Sequence, residues 1–212
     1  MTIHTFTEAG VGHANEDILE HRQHPSDDSF SLCLLGDGQG GRAGGGQAAR
    51  VGVASALHGA CAAAPRTLLL PSTWLDICGL ADRAVAATTD AGYCTLVGVA
   101  ATPDWVVGAS SGDSAAVLLL ESVAINLTER QRKNPPVGSG GAMFEPFSAG
   151  LNGWWRILVM SDGVWKYVGW DQMIAIGRVT PAHLVAGALR QQAMAGTGGL
   201  LPDDFSIIVI EP

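Results

Sequence analysis

Apolar residues fall into short, nearly continuous blocks separated by glycine, proline, aspartate and serine. The blocks at 30–35, 93–101, 105–109, 115–121, 154–160 and 205–210 are rich in apolar residues, and each reads as a strand. A shorter strand is expected at 3–7, then a polar stretch at 12–17 and a loop rich in His, Asp and Ser leading to residue 30. Three segments carry helical spacing. Residues 45–64 are dominated by Ala, Val and Leu; 72–89 start at Ser72, a suitable N-cap, and carry Leu75, Leu80 and Val85 as an apolar stripe; 181–195 accept Pro181 in the first turn. The turns Thr102-Pro103-Asp104 and Ser110-Ser111-Gly112-Asp113 predict a strand meander over 93–121, and 128–153 read as a long surface loop. Strands in a block, a helix pair inserted among them and a helix before the last strand predict α+β layers around an antiparallel sheet.

Composition narrows the class. The 212 residues show no compositional break, so one domain over 1–212 is expected. Twenty acidic against twelve basic residues give a formal charge of -8, unsuited to a general nucleic-acid surface. The first twelve residues lack a basic start followed by an apolar stretch, and no block approaches the roughly 18 apolar residues of a membrane span. The expectation is a soluble cytoplasmic protein with neither nucleic-acid nor membrane partners. Cys33, Cys61, Cys78 and Cys94 are widely spaced with no Cys-x-x-Cys pair, which predicts free, buried thiols.

The chemistry lies where apolar blocks meet acidic residues. Leu34-Leu35 run into Gly36-Asp37-Gly38, Val159-Met160 run into Ser161-Asp162-Gly163, and Asp203-Asp204 open the last strand. Any one Asp-Gly turn is an ordinary way to end a strand. If the last strand runs antiparallel to the other two, however, Asp37, Asp162 and Asp203 converge on one sheet edge. Carboxylates gathered there repel one another unless cations lie between them, so a divalent metal site is expected. Hard oxygen donors without a His or Cys cluster favour Mg²⁺ or Mn²⁺ over Zn²⁺.

Two further acidic motifs, Asn15-Glu16-Asp17 and Ser111-Gly112-Asp113-Ser114, complete an ordered set of five. In that order they resemble the metal-dependent protein phosphatases of type 2C, including the bacterial members and the sporulation stage II phosphatases. The resemblance implies a four-layer α-β-β-α sandwich, with two mostly antiparallel sheets and helices on both outer faces. It also implies hydrolysis of phosphoserine or phosphothreonine in a protein substrate of a serine/threonine kinase, by a metal-activated water. Asp37, Asp162 and Asp203 would be catalytic. Asp37 would bridge two Mn²⁺ or Mg²⁺ ions, with the Gly38 carbonyl on the second. Asp162 and Asp203 would hold the first ion, Glu16 and Asp17 the second or its waters, and Asp113 with Asp162 a possible third. The resemblance puts Asp203 rather than Asp204 at the ligand position.

Relatives usually carry an arginine before the Glu-Asp pair, where its planar fork grips phosphate. Gly12-His13-Ala14 stands there instead, leaving His13, and Arg22 or Arg42 from nearby loops, as the candidates for that role. Ala115 also replaces a common arginine after the third motif. These departures sustain an alternative, a phosphatase-like regulatory or binding module with weak or no catalysis. Gly36-x-Gly38-x-x-Gly41 formally matches a dinucleotide-binding fingerprint, and Gly108-x-Ser110-x-Gly112 a serine-hydrolase elbow. The first needs a parallel sheet and the second a strand-to-helix turn. Of Trp154 and Trp155, adjacent on a strand, one is expected in the core and the other at the surface. Trp165 is expected to pack beneath the acidic loop.

Overall fold

The computed structural model describes residues 1–40 and 43–212, so Arg42 lies outside the described residues. Two five-stranded sheets face each other. The first has the order β1 (Thr2–Glu8), β10 (Phe205–Glu211), β9 (Trp155–Met160), β6 (Ala115–Leu120), β7 (Ala124–Asn126). The second has the order β2 (Ile18–His24), β3 (Asp27–Gly36), β4 (Leu96–Ala101), β5 (Trp105–Ser111), β8 (Glu145–Gly150). Every pairing between these strands is antiparallel. Helices α1 (Gly45–Ala62) and α2 (Pro71–Ala86) cover the second sheet, while α3 (Asp162–Val168), α4 (Trp170–Val179) and α5 (Ala182–Ala195) cover the first. The expected α-β-β-α sandwich is what the chain forms.

The continuous apolar blocks follow from this layering. Along β3, Leu32 and Leu34 pack under the helices, whereas Cys33 and Leu35 point into the seam between sheets. Strand β10 divides the same way, with Phe205, Ile207 and Val209 toward helices and Ile208 and Ile210 toward the seam. A strand covered on both faces has no polar alternation to show. All four cysteines are free, with Cys61 half-buried and the others buried. Trp155 is buried and Trp154 partly exposed, as strand alternation requires.

Several expectations are corrected. The polar stretch before residue 30 contains β2, an edge strand with an exposed middle and so no apolar signature. The meander over 93–121 is broken: β4 and β5 pair, but β6 belongs to the other sheet. The chain changes sheets at residues 112–114, where Gly112 takes φ 119° and a Cβ would stand 2.5 Å from a Thr95 methyl. The loop over 128–153 contains β8, which pairs along β5. Helix α2 begins at Pro71 with Leu70 as N-cap, and its buried face is Trp74, Ile77, Cys78, Ala81 and Val85; Leu75 and Leu80 are exposed. Helices α3 and α4 lie in a region where no helix was expected.

Antiparallel pairing throughout removes the dinucleotide reading, which needs a parallel sheet. Ser110 lies within β5, and β6 rather than a helix follows, so it forms no nucleophile elbow.

Candidate metal centre

The acidic residues hang from strand ends of both sheets. Asp37 follows β3, Asp162 opens α3 directly after β9, Asp203 precedes β10, Glu16 precedes β2, and Asp113 sits in the sheet-switching turn. Asp37, Asp113, Asp162, Asp203, Glu16 and Gly38 all line one cavity of about 870 Å³, with His13 at its wall. The predicted convergence is therefore present, though at a rim shared by two sheets rather than at the edge of one.

Backbone constraints hold this rim in shape. The Asp37 N–H donates to Thr95 Oγ1 at 3.0 Å, the Thr95 N–H returns a bond to the Asp37 carbonyl at 2.8 Å, and Thr95 Oγ1 contacts Ser114 Oγ at 2.6 Å. The turn bearing Asp37 is thus tied to the turn bearing Asp113. A Cβ on Gly38 would lie 2.5 Å from the Gly45 carbonyl carbon, so this turn can press against the start of α1 only as glycine. Glu16 Oε1 accepts the Gly46 N–H at 3.3 Å, and its carbonyl accepts the Gly38 N–H at 3.2 Å.

Asp203 and Asp204 divide their work. Asp203 lines the cavity; Asp204, also reaching its wall, accepts the Gly10 N–H on Oδ1 at 2.8 Å and the Glu16 N–H on Oδ2 at 2.7 Å. Asp17 lies behind the cavity wall, 5% exposed, and neither carboxylate oxygen has a hydrogen-bond partner. The neighbouring hydroxyls are engaged elsewhere, Ser161 with the Asp204 carbonyl and Ser206 with Thr7.

This crowding is visible electrostatically. Burial, followed by the charges of Asp17, Asp162, Asp113 and Asp203, pushes the Asp37 carboxyl up to about 9. Burial pushes Asp17 to about 7 against the nearby Ser206 and Ser161 hydroxyls, with Asp204 and Asp162 adding to the rise. Burial raises Asp162 to about 6 against the opposing hydrogen bond from Lys166. Among the described residues no three His, Cys, Asp or Glu side chains are grouped tightly enough to hold an ion as they stand. An all-oxygen donor set, an orphaned buried carboxylate and uncompensated negative charge nevertheless suit a hard divalent cation.

Two lysines belong to the site. Lys166, one helical turn after Asp162, donates to Asp162 Oδ2 and stands 3.9 Å from Asp113 Oδ2, which Lys133 also contacts at 2.5 Å. Burial alone would weaken the Lys166 charge, but the Asp162 hydrogen bond and the Asp113 and Asp203 charges leave its pKa raised. Lys166 is close enough in sequence to the Asp162 loop to be singled out there, and the Asp-x-x-x-Lys spacing on α3 puts both side chains on one helix face. Lys133 carries no such local signal. Trp165 donates from Nε1 to the Asp113 carbonyl at 3.0 Å and stacks on Trp170, with centroids 5.4 Å apart. His13 is exposed, its Nδ1 3.1 Å from the Ala14 carbonyl and 3.5 Å from Asp204 Oδ1.

The two facing sheets and their flanking helices form the type 2C protein phosphatase fold. Among solved structures with it, the serine/threonine phosphatase PstP/Ppp of Mycobacterium tuberculosis superposes with TM-score 0.81 at 19% identity, over 98% of this chain and 97% of that one. A serine/threonine phosphatase of Staphylococcus aureus gives 0.81 at 18% identity, over 99% and 94%. The PstP catalytic domain in complex with two manganese ions gives 0.78 at 20% identity, over 98% and 96%. No family model matches the chain, and neither does any curated protein sequence.

Proposed function

We propose that the chain is a metal-dependent phosphomonoester hydrolase acting on phosphoserine or phosphothreonine in proteins. The observation that carries this reading is the meeting of Asp37, Asp162 and Asp203 on one cavity within a fold otherwise seen in serine/threonine phosphatases. Asp37 would bridge two ions, with the Gly38 carbonyl beside it. Asp162 and Asp203 would hold the first ion, Glu16 the second, and Asp17 would act from behind the wall on the same charge. The two-manganese complex of PstP makes Mn²⁺ the first ion to test, with Mg²⁺ the alternative. Bound, such ions supply a hydroxide at neutral pH and neutralise phosphate oxygens. The protein's part is to fix the carboxylates through the Thr95–Ser114 bridge and the glycine contact at Gly38. His13 lines the cavity where a phosphate would enter and is the candidate to steady it; its pKa is raised, first by the Ala14 carbonyl and further by Asp204, Asp203 and Glu16.

The substrate would be a phosphorylated protein, paired in the cell with a serine/threonine kinase. Among the described residues no helix is long and apolar enough to cross a membrane, and a cytoplasmic setting is the reading that fits a kinase partner. Hydrolysis of p-nitrophenyl phosphate and of a phosphothreonine peptide with Mn²⁺ tests the assignment. Activity should vanish on exhaustive chelation and in Asp162→Asn. Turnover that survives either change would overturn it. A second reading, a weakly active or inactive binding module, is favoured by one observation: no arginine lines the cavity among the described residues. Mn²⁺ binding without turnover on either substrate would select it.

A further inference from the structure

The acidic rim is asymmetric in its counter-charge. On the side of Asp37, Asp203 and Glu16, no lysine or arginine among the described residues pairs with a carboxylate. On the side of Asp113 and Asp162, two ammonium groups meet them. Lys166 Nζ bonds Asp162 Oδ2 and lies 3.9 Å from Asp113 Oδ2; Lys133 Nζ lies 2.5 Å from that same Asp113 oxygen. Lys166 is also held in place. It sits a helical turn beyond Asp162, and its ammonium lies 5.9 Å from the centre of the Trp165 ring, whose Nε1–H binds the Asp113 carbonyl. The ring, the lysine and both aspartates form one connected cluster.

Building on the metal-dependent reading above, we infer that Lys166, supported by Lys133, permanently fills the cation position between Asp113 and Asp162, so the centre takes two divalent ions and not a third. An ammonium and a divalent ion cannot share the same oxygens without strong repulsion at this range. Asp113 then serves as an anchor for two lysines and not as a metal ligand. The Lys166 ammonium, fixed at the cavity rim, also offsets negative charge that a phosphate would otherwise meet. Because a lysine cannot be removed by chelation or dilution, this part of the site keeps its charge at any metal concentration.

Crystals of the unaltered protein soaked in millimolar Mn²⁺ should show two anomalous peaks around Asp37, Asp162 and Asp203, and none between Asp113 and Asp162. Calorimetric titration should give matching stoichiometry. Lys166→Asp, which exchanges the ammonium for another carboxylate, should add a weaker third binding event, and Lys166→Met should weaken the selection against it. A manganese peak between Asp113 and Asp162 in the unaltered protein, with Lys166 displaced, would overturn the inference and leave the two-ion phosphatase reading intact. No manganese at all would remove both. Since the anomalous map needs no substitution, misfolding of a variant does not blunt the test.

Discussion

Asp204 accepts the backbone N–H of Glu16 at 2.7 Å, joining the approach to the last strand to the turn before β2. Its other oxygen takes the Gly10 N–H at 2.8 Å, so a single buried side chain fixes the N-terminal segment against the cavity wall. Asp204→Ala leaves both donors without an acceptor. Each unsatisfied group costs about 1–3 kcal/mol, and a loss of roughly 2 kcal/mol or more is expected from urea denaturation monitored by fluorescence. Asp203→Asn, one residue earlier, should leave folding nearly unchanged and abolish metal-dependent turnover. Equal destabilisation by the two changes would refute this division of labour.

Asp37→Asn should separate stability from function in opposite directions. Burial first, and then four neighbouring carboxylates, push Asp37 up to about 9, so at neutral pH folding must add a proton to it, a cost that asparagine does not carry. Without added metal the variant should melt above the parent, a gain on the order of 1 kcal/mol. With Mn²⁺ the parent should gain stability by mass action and the variant should not. A variant that melts lower without metal would show that Asp37 contributes to folding through contacts other than its charge.

Asp82 is a structural counterpart that does not line the cavity. Buried in α2, it accepts the N–H groups of Gly138, Gly140 and Ala142, at 2.7, 3.2 and 3.0 Å, and so organises the loop following Asn134 and Pro136 at the cavity. Asp82→Ala is expected to cost about 2–4 kcal/mol and to open residues 138–142 to limited proteolysis. Protection of that loop in the variant would count against the anchor.

Cysteine reactivity should divide sharply. Burial pushes the Cys33 and Cys78 thiols up to about 12, and raises Cys94 with the Asp37 and Asp82 charges adding to the effect. Thiolate is the reactive form, so these three should stay silent toward Ellman's reagent at pH 8 in the native protein. Half-buried Cys61 should react first, and all four only after denaturation. Rapid modification of Cys94 would mean that the cavity floor opens.

What was legible in the sequence follows physical rules. Blocks such as 205–210 declared themselves because both faces of β10 are covered. Strand β2 did not, because an edge strand with exposed Glu20, His21, Arg22 and Gln23 has nothing apolar to repeat. The convergence of the acidic turns was legible, because each sits where an apolar block ends or begins. The change of sheet at Gly112 was not, since a turn between two strands reads alike whether they pair or part. Leu75 and Leu80 illustrate the limit of counting apolar spacing: Trp74 and Ile77 occupy the buried face of α2 instead. Lys133 reaches Asp113 only through tertiary structure.

The seam between the sheets has a consequence for how the site can change. Asp37 hangs from the strand carrying Cys33 and Leu35, and Asp162 from the strand carrying Ile157 and Val159; all four side chains meet in the seam with Val97, Val99 and Ile208. Facing sheets stand roughly 10 Å apart, a spacing set by the bulk of what lies between them. The separation of the carboxylates is therefore gauged by hydrocarbon, in a layer that touches neither ion nor substrate. Adding or removing a methyl group there would retune the centre without altering any residue that performs its chemistry.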